Sequence, residues 1–580
     1  MSSLLKFINK RINIILPLVP IIIFIIIVFI NAPLRETFEY NPDESTNLMK
    51  SQLFLKGFSF YKQIWSDQPP LIPVFLAYWF KLVTPTVYHG RILILIFSIV
   101  FLWTFYQTIR INWGHPAASI AVFFLILSQA YLRLSVSIMD VSIPLTLNML
   151  SIYCISLYRK YHSILSLVIS GVFLALALQC KLITAFLIPI IMFEIIRPKE
   201  ADLKYQKQYV NPIIRLSLWL ASFFTVYFFI LVIFFYPDFN LIIEQLVKPH
   251  LTKYIFIDNK LVDFTLISKM LFLDYDIVLL ALISIIAAIR QKDLRLSLPV
   301  LWVFLIFLIL LVHTPLWDHY YLLISIPLCW LAAIQVGGFL HTYLSNMKPG
   351  LVPAHKKKYT ISKWLMAGLI ILVILRIPAK YDRACKFLWG ETTAKEKAVT
   401  EVLLKYKKHT HWLLTDRPIF AFYTNMLVPP ELAVISQKRI WILTKDSLSD
   451  SFINIFEKYK PELLLFAAFF NRIADFSPEV SSYIEHNYYK VYSASLSHKI
   501  AALSAYVDYT VTPIGLPFGH YLPKSIKFAR NKWLRNFIWH CKIFVTEKKY
   551  LKNEFSANID TNIYVRKDTL GLSQPSNQIQ

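Results

Sequence analysis

Glycine is scarce, 12 in 580 residues. Neither GxGxxG nor GxxxxGK followed by Ser or Thr occurs, so there is no loop to cradle a nucleotide phosphate. Charge is thin as well. Only 16 % of residues are charged, where soluble domains carry about 25 %, and acids are the rarer sign, 35 Asp and Glu against 60 Lys and Arg. The five cysteines (Cys154, Cys180, Cys329, Cys385, Cys541) show no CxxC spacing, which excludes zinc-ribbon and dithiol redox motifs. The first three fall in apolar runs, where a thiol behaves as a small hydrophobe. Cys385 and Cys541 lie in the polar C-terminal part and are able to pair only if that part is outside the cytosol.

What is present is apolar. The hydrophobic fraction is 56 %, with 44 Phe, 32 Tyr and 14 Trp, and the mean hydropathy is +0.52. Such a chain is neither disordered nor an ordinary soluble enzyme, and its solvent is in large part a bilayer. A helix crossing the bilayer core needs about 20 apolar residues. Runs of that kind fall at 13–31, 92–109, 117–133, 141–157, 163–179, 182–196, 213–236, 276–289, 297–312, 320–340 and 364–378, about eleven spans. The first follows Lys6, Lys10 and Arg11, is too long for a signal-peptide core and lacks a small-residue cleavage site, so it reads as a retained span.

The run 71–83 is short, carries Lys81 and follows Pro69 and Pro70. If it does not cross, the basic loops "RKYH", "RPKEADLKYQK", "RQKDLR" and "HKKKY" share one side with the N-terminus, and that side is cytoplasmic by the positive-inside rule. The run then reads as an amphipathic or half-buried helix on the outer face. The outer loops become 32–91, 133–140, 237–275, 313–319 and everything after about 380. Beyond that point the apolar runs shorten and alternate between helix-like ("AKEKAVTEVLLKYKK") and strand-like ("HWLLTD", "ELAVIS", "PELLLFAAFF") pieces. The fold class expected is therefore a polytopic α-helical membrane protein with a small C-terminal extracytoplasmic α/β domain. Its parts are a transmembrane domain over 1–380, the outer domain over 381–565 and a disordered tail over 566–580. Residues 521–552 mix Lys and Arg with Trp533, Phe537, Trp539 and Phe544, a composition suited to an anionic membrane surface. Membrane lipids are an expected partner and nucleic acid is not.

Three outer positions carry candidate chemistry. In "YNPDESTNLMK", Asp43 and Glu44 open a helix just after the first span, a pattern that serves equally as a helix cap. The cluster Phe58, Phe60, Tyr61, Trp65, Pro69 and Pro70 downstream fits an interfacial belt. Asp140 in "YLRLSVSIMDVSIPL" precedes an apolar run, again as a plausible cap with Arg133 as a plausible partner. An ionisable group at the edge of hydrocarbon is costly unless it faces a polar cavity. In "HTPLWDHYYLLISIPL", His313, Asp318, His319, Tyr320 and Tyr321 crowd one outer loop, as a site for an anionic headgroup or as interfacial anchors.

The ordered set of an Asp-Glu pair in the first outer loop, "QPPL" before an aromatic helix, an Asp in the second outer loop and "HYYL…P" at a late span resembles the GT-C glycosyltransferases. The resemblance covers about residues 1–380 and is to the family 39 and aminoarabinose-transferase-like branch, which includes protein O-mannosyltransferases. It implies an enzyme of the plasma membrane that takes a sugar from a polyprenyl-phosphate donor and gives it to a lipid, glycan or protein acceptor. Asp43 then matches the catalytic aspartate and Asp140 the second acidic residue, with Glu44, Gln68, Arg133, Lys181, His319 and Tyr320 as substrate-binding candidates. Gln68 stands where many members have the lysine expected to hold the donor phosphate, so the positive charge has to come from Arg133, Lys181 or His319.

The leaving phosphate is stable as an anion, so the main requirement is a base for the acceptor, the role assigned to Asp43. A single displacement inverts the anomeric centre, whereas retention through a covalent intermediate needs two placed carboxylates. Asp43, Glu44 and Asp140 are oxygen groups of the type Mg²⁺ or Mn²⁺ accepts, but they fall short of a full ligand set, and no metal or cofactor is expected. The competing class is a polytopic transporter or lipid flippase. It calls for paired hydrophobic halves and polar groups near the midplane, and the sequence shows no clear repeat.

Overall fold

The computed structural model describes residues 2–197, 211–251, 260–313, 316–347, 363–388, 394–434, 448–467, 477–497 and 558–568. Cys541 and the basic stretch 521–552 lie outside these residues. The contacts divide the chain into two compact units, Met1–Glu391 and Thr392–Gln580.

The first unit is helical: α1 (Ser2–Asn31), α2 (Pro42–Leu55), α3 (Leu71–Leu82), α4 (Val87–Ile126), α5 (Gln129–Leu134), α6 (Ser142–Tyr161), α7 (Ile164–Leu178), α8 (Leu187–Ile196), α9 (Pro212–Phe235), α10 (Lys248–Leu251), α11 (Lys260–Leu273), α12 (Tyr275–Gln291), α13 (Ser297–Val312), α14 (Tyr321–Met347) and α15 (Lys363–Leu388). Five helices among the described residues have the length and hydropathy to cross a membrane: Val87–Ile126, Pro212–Phe235, Leu294–Val312, Asp318–Leu340 and Lys363–Cys385. The pair Leu266–Leu273 and Tyr275–Gln291, bent by 89°, makes a sixth if taken as one span. Ile15–Asn31, Ile164–Leu178 and Leu182–Ile196 are shorter apolar helices. The chain is a polytopic, mostly helical membrane protein. Helix α9 shows why: Ile213, Ile214, Phe228, Phe229 and Ile233 are exposed along it, a surface stable only against lipid.

The long α4 is two helices. Gly114 has φ 79°, open to glycine but strained for other residues, and Pro116 follows it. The Tyr106 hydroxyl lies 2.7 Å from His115 Nδ1. Nine residues of straight helix would rise about 13.5 Å, so the chain doubles back at Gly114. The second arm ends at Ile126, and Gln129–Leu134 forms a separate short helix, so the apolar run expected over 117–133 is broken near Ser128.

Helix α3 is too short to span. It buries Leu71, Ile72, Val74, Leu76, Ala77 and Phe80 and exposes Tyr78 and Leu82, as a half-buried helix does. Helix α15 continues to Leu388, so the domain boundary expected at 380 falls inside it.

The second unit contains a four-stranded sheet with the order β1 (Leu413–Thr415), β2 (Leu463–Phe466), β4 (Asn558–Arg566), β3 (Tyr488–Ser497). Strands β1 and β2 are parallel and wholly buried, and β4 runs antiparallel to both β2 and β3. Helices α16 (Ala394–Tyr406), α17 (Pro418–Thr424), α18 (Leu448–Tyr459) and α19 (Pro478–Asn487) accompany the sheet. Arg566 pairs with Tyr488, which puts the residue expected to open a disordered tail inside the sheet. Residues from 569 on lie outside those described.

Candidate active site

Helix α2 is the platform. Asn41 caps it, its Oδ1 accepting from Asp43 N at 3.0 Å, and Pro42 takes the first helical position, where a missing N–H costs nothing. Asp43 is therefore in the first turn and is not the cap. Asp43, Asn47 and Lys50 follow at helical spacing on one face.

Glu44, one residue on, points elsewhere. It makes a bidentate pair with Arg91, at 2.8 Å to Nη2 and 3.2 Å to Nε, with both side chains fully buried. Its carboxylate also accepts from Tyr40 N at 2.7 Å and Ile138 N at 3.0 Å. Arg91 in turn donates to Leu34 O and Thr37 O, both at 2.8 Å. A buried charge persists only when paired and hydrogen-bonded, and every partner of Glu44 is protein. The expectation that Glu44 binds substrate is therefore corrected: it bolts α2 to α4 and to the segment before Asp140. Gly90 allows the approach, since a Cβ there would lie 2.6 Å from Ile138 Cδ1.

Asp140 does not cap α6, whose first turn has no side-chain cap. Its Oδ1 instead accepts from Asn47 Nδ2 at 2.8 Å. The expected partner Arg133 pairs with Asp318 at 2.6 Å, leaving Asp140 to other groups. Lys181 follows α7, with its Nζ 3.4 Å from His319 Nε2 and 5.1 Å from the centre of the Tyr320 ring. An ammonium only donates, so the imidazole nitrogen facing it is a lone pair. His319 thus acts as an acceptor for Lys181, and the expectation that it supplies positive charge is corrected, as is that for Arg133.

Gln68 stands aside. Its side chain lies 3.4 Å from His250, while Asp67 next to it faces the cluster, raising the Lys181 ammonium and the Asp43 carboxyl alike. Lys50 is buried and donates to Ser66 Oγ at 3.2 Å. Gln245 accepts from Ser66 N and donates to Tyr61 O, tying the long loop after α9 into the same place.

The result is three carboxyl groups, Asp43, Asp67 and Asp140, around two ammonium groups, Lys50 and Lys181. Among the described residues neither Asp43 nor Asp140 closes a direct ion pair. Burial, then the Asp140 charge, push the Asp43 carboxyl up to about 7, against the pull of Lys181 and Lys50. Burial lowers the Lys181 ammonium, and Asp140, Asp43 and Asp67 counter it. With Glu44 turned away, no group of three or more His, Cys, Asp or Glu among the described residues is arranged to hold a metal ion. A part-exposed carboxyl that titrates near neutrality, beside lysines, suits proton abstraction next to a developing anion.

Asp43, Asp140, Lys181, His319 and Tyr320 are thus brought together from four stretches of chain. Lys50, Asn47, Asp67 and Arg91 were not singled out as site residues from the sequence. The spacing from Asp43 points to Asn47 and Lys50, whereas Arg91 lies at the edge of an apolar run with nothing to distinguish it.

Residues 67–235 match the family described as dolichyl-phosphate-mannose-protein mannosyltransferase. The fold matches the apo crystal structure of ArnT from Cupriavidus metallidurans with a TM-score of 0.51 and 12 % identity, covering 79 % of this chain and 94 % of that one. The chain shares the fold of ArnT. The ArnT structure bound to undecaprenyl phosphate matches this chain equally, with a TM-score of 0.51 and 11 % identity over 83 % of this chain and 96 % of that one. The apo oligosaccharyltransferase of Archaeoglobus fulgidus also matches, with a TM-score of 0.51 and 12 % identity over 79 % of this chain and 70 % of that one. No curated protein matches the sequence. The family-matched part of the chain contains Asp67, Arg133, Asp140 and Lys181, and Asp43 precedes it.

Proposed function

We propose that this protein, as a GT-C glycosyltransferase, transfers a sugar from a polyprenyl-phosphate carrier to a lipid, glycan or protein acceptor on the outer face of the plasma membrane. The observation that carries the reading is the Asp43 carboxyl, raised to about 7 by burial and by Asp140, beside Lys181 and Lys50. Asp43 takes the proton from the acceptor's hydroxyl or amine as that atom bonds to the anomeric carbon. The bond from that carbon to the phosphate oxygen breaks, and its electron pair leaves with the polyprenyl phosphate. Lys181, with Lys50 behind it, stabilises that anion. One displacement inverts the anomeric centre. Asp140 sets the field that tunes the base. Because the lysines provide the positive charge, the reading takes no metal or cofactor, and chelation with EDTA leaves transfer unchanged.

An undecaprenyl phosphate bound in a protein of the same fold supports the carrier class. The bias of Lys and Arg among the loops supports about eleven spans, a cytoplasmic N-terminus and an extracytoplasmic second unit that selects the acceptor. The test is to incubate the lipid-reconstituted protein with a panel of radiolabelled polyprenyl-phosphate sugars and a membrane extract, alongside Asp43→Asn. Transfer that disappears in the variant supports the reading, equal transfer by both removes Asp43 from the mechanism, and no transfer from any donor overturns the assignment of substrate.

A further inference from the structure

Asn47 takes no part in the proton transfer or the phosphate binding described above, yet it occupies the centre of the site. It is 1 % exposed and lies one helical turn after Asp43 on α2. Its amide nitrogen is 2.8 Å from Asp140 Oδ1 and 3.3 Å from the Ile138 carbonyl oxygen. Both neighbours are acceptors, so the nitrogen, not the amide oxygen, faces them, and both amide hydrogens are engaged.

The groups facing the two carboxylates come from every element around them: Asp43 and Lys50 from α2, Asp67 from the loop before α3, Asp140 itself, Lys181 after α7 and Tyr320 before α14. The lysines act on the cluster as a whole through space. Among the described residues the Asn47 amide is the one side-chain donor hydrogen-bonded to either carboxyl. Two like charges at one site favour a single proton between them, and a hydrogen bond donated to one carboxylate favours its charged form. We propose that Asn47 is a positioning residue that decides which carboxyl carries this shared proton: by donating to Asp140 it holds Asp140 as the anion and leaves the proton to Asp43. The inference rests on the reading of Asp43 as the base and explains why Asp43, not Asp140, cycles between acid and base.

The experiment is infrared difference titration of the protonated carboxyl band in the full-length, lipid-reconstituted protein, which requires no substrate. In the unmodified protein a band titrates in the neutral range and is lost in Asp43→Asn. In Asn47→Leu the midpoint rises by about 0.3 pH unit, what equal sharing of one proton between two carboxyls adds. The band then loses intensity in both Asp43→Asn and Asp140→Asn backgrounds, because the pair shares the proton. Asn47→Asp keeps the shape and replaces the donor, shifts the midpoint upward as well, and carries the test if Asn47→Leu does not fold.

The pH–rate profile also changes: the loss of transfer in Asn47→Leu is smaller below the midpoint than above it, because a proton shared with Asp140 leaves Asp43 free as the base in about half of the molecules. A midpoint unchanged or lowered, a neutral-range band that survives Asp43→Asn, or an equal loss of rate at every pH overturns the proposal, the last because a purely structural role predicts it. Failure of the protein to transfer from any donor defeats the glycosyltransferase reading alone, and the infrared titration still decides the role of Asn47.

Discussion

Asp274 and Asp276, at the bend between α11 and α12, form a pair of carboxylates among cations, as do Asp43 and Asp140 at the site. The first pair is in direct contact with its cations. Arg376 and Lys380 of α15 reach Asp276 at 2.6 and 2.9 Å, Lys380 also reaches Asp274 at 3.2 Å, and the Tyr321 hydroxyl donates to Asp274 at 2.9 Å. At the site the lysines stand off, and one asparagine amide is the side-chain donor that touches a carboxylate. Matched pairs in direct contact hold the chain together and are held in place by it. Charges left at a distance perturb one another and remain available, which is the condition for a base that works near neutral pH. The same contrast occurs between neighbours on α2, where Glu44 is locked to Arg91 and Asp43 is not.

The largest expected effect tests this contrast at its sharpest point. Asp43→Asn lowers transfer by about 10²- to 10⁴-fold, the range of general base catalysis, and leaves the melting temperature in detergent unchanged or higher, because a carboxyl raised by burial gains nothing from being charged. Glu44→Ala does the reverse: stripping Arg91 of its buried partner costs about 3–5 kcal/mol, seen as a lower melting temperature or loss of folded protein. Equal destabilisation by the two variants would break the comparison.

The pH dependence comes next. The base must be deprotonated, so transfer rises with pH through about 7 and levels above it. In Asp140→Asn the nearby negative charge is gone, the Asp43 carboxyl falls toward its ordinary range, and the rising limb moves to lower pH even where the maximal rate drops. A limb that stays in place separates Asp140 from the tuning of Asp43. The smallest effect belongs to the paired cluster: Tyr321→Phe removes one hydrogen bond to a charged group, about 1.5–3 kcal/mol of stability in a thermal melt, while the position of the pH limb stays the same.

Asp43 and Asp140 stand out in the sequence because each carboxylate lies where an apolar run meets a polar loop, and the structure brings the two into one cluster. Glu44 was misread with Asp43 because neighbouring helical residues point about 100° apart, and a pair of adjacent letters does not say which one faces the site. Arg133 looked like a partner for Asp140 at a distance of seven residues, yet its carboxylate is Asp318, 185 residues away in the chain. His319 read as a possible cation until Lys181 was found facing its ring nitrogen. The α4 hairpin was visible as two apolar runs, but the extent of the second was not, since its end depends on the local break at Ser128.

The sequence by itself determined the solvent of the molecule, the change of character after the last apolar run and the acids at the ends of the apolar runs. These follow from composition and from the bilayer's thickness, which act on every segment locally. Only the tertiary structure decided which acids are bound to arginine and which are left to titrate. Pairing depends on distances of a few ångströms between residues far apart in the chain, and a carboxylate takes its chemistry from whichever partner arrives first within reach.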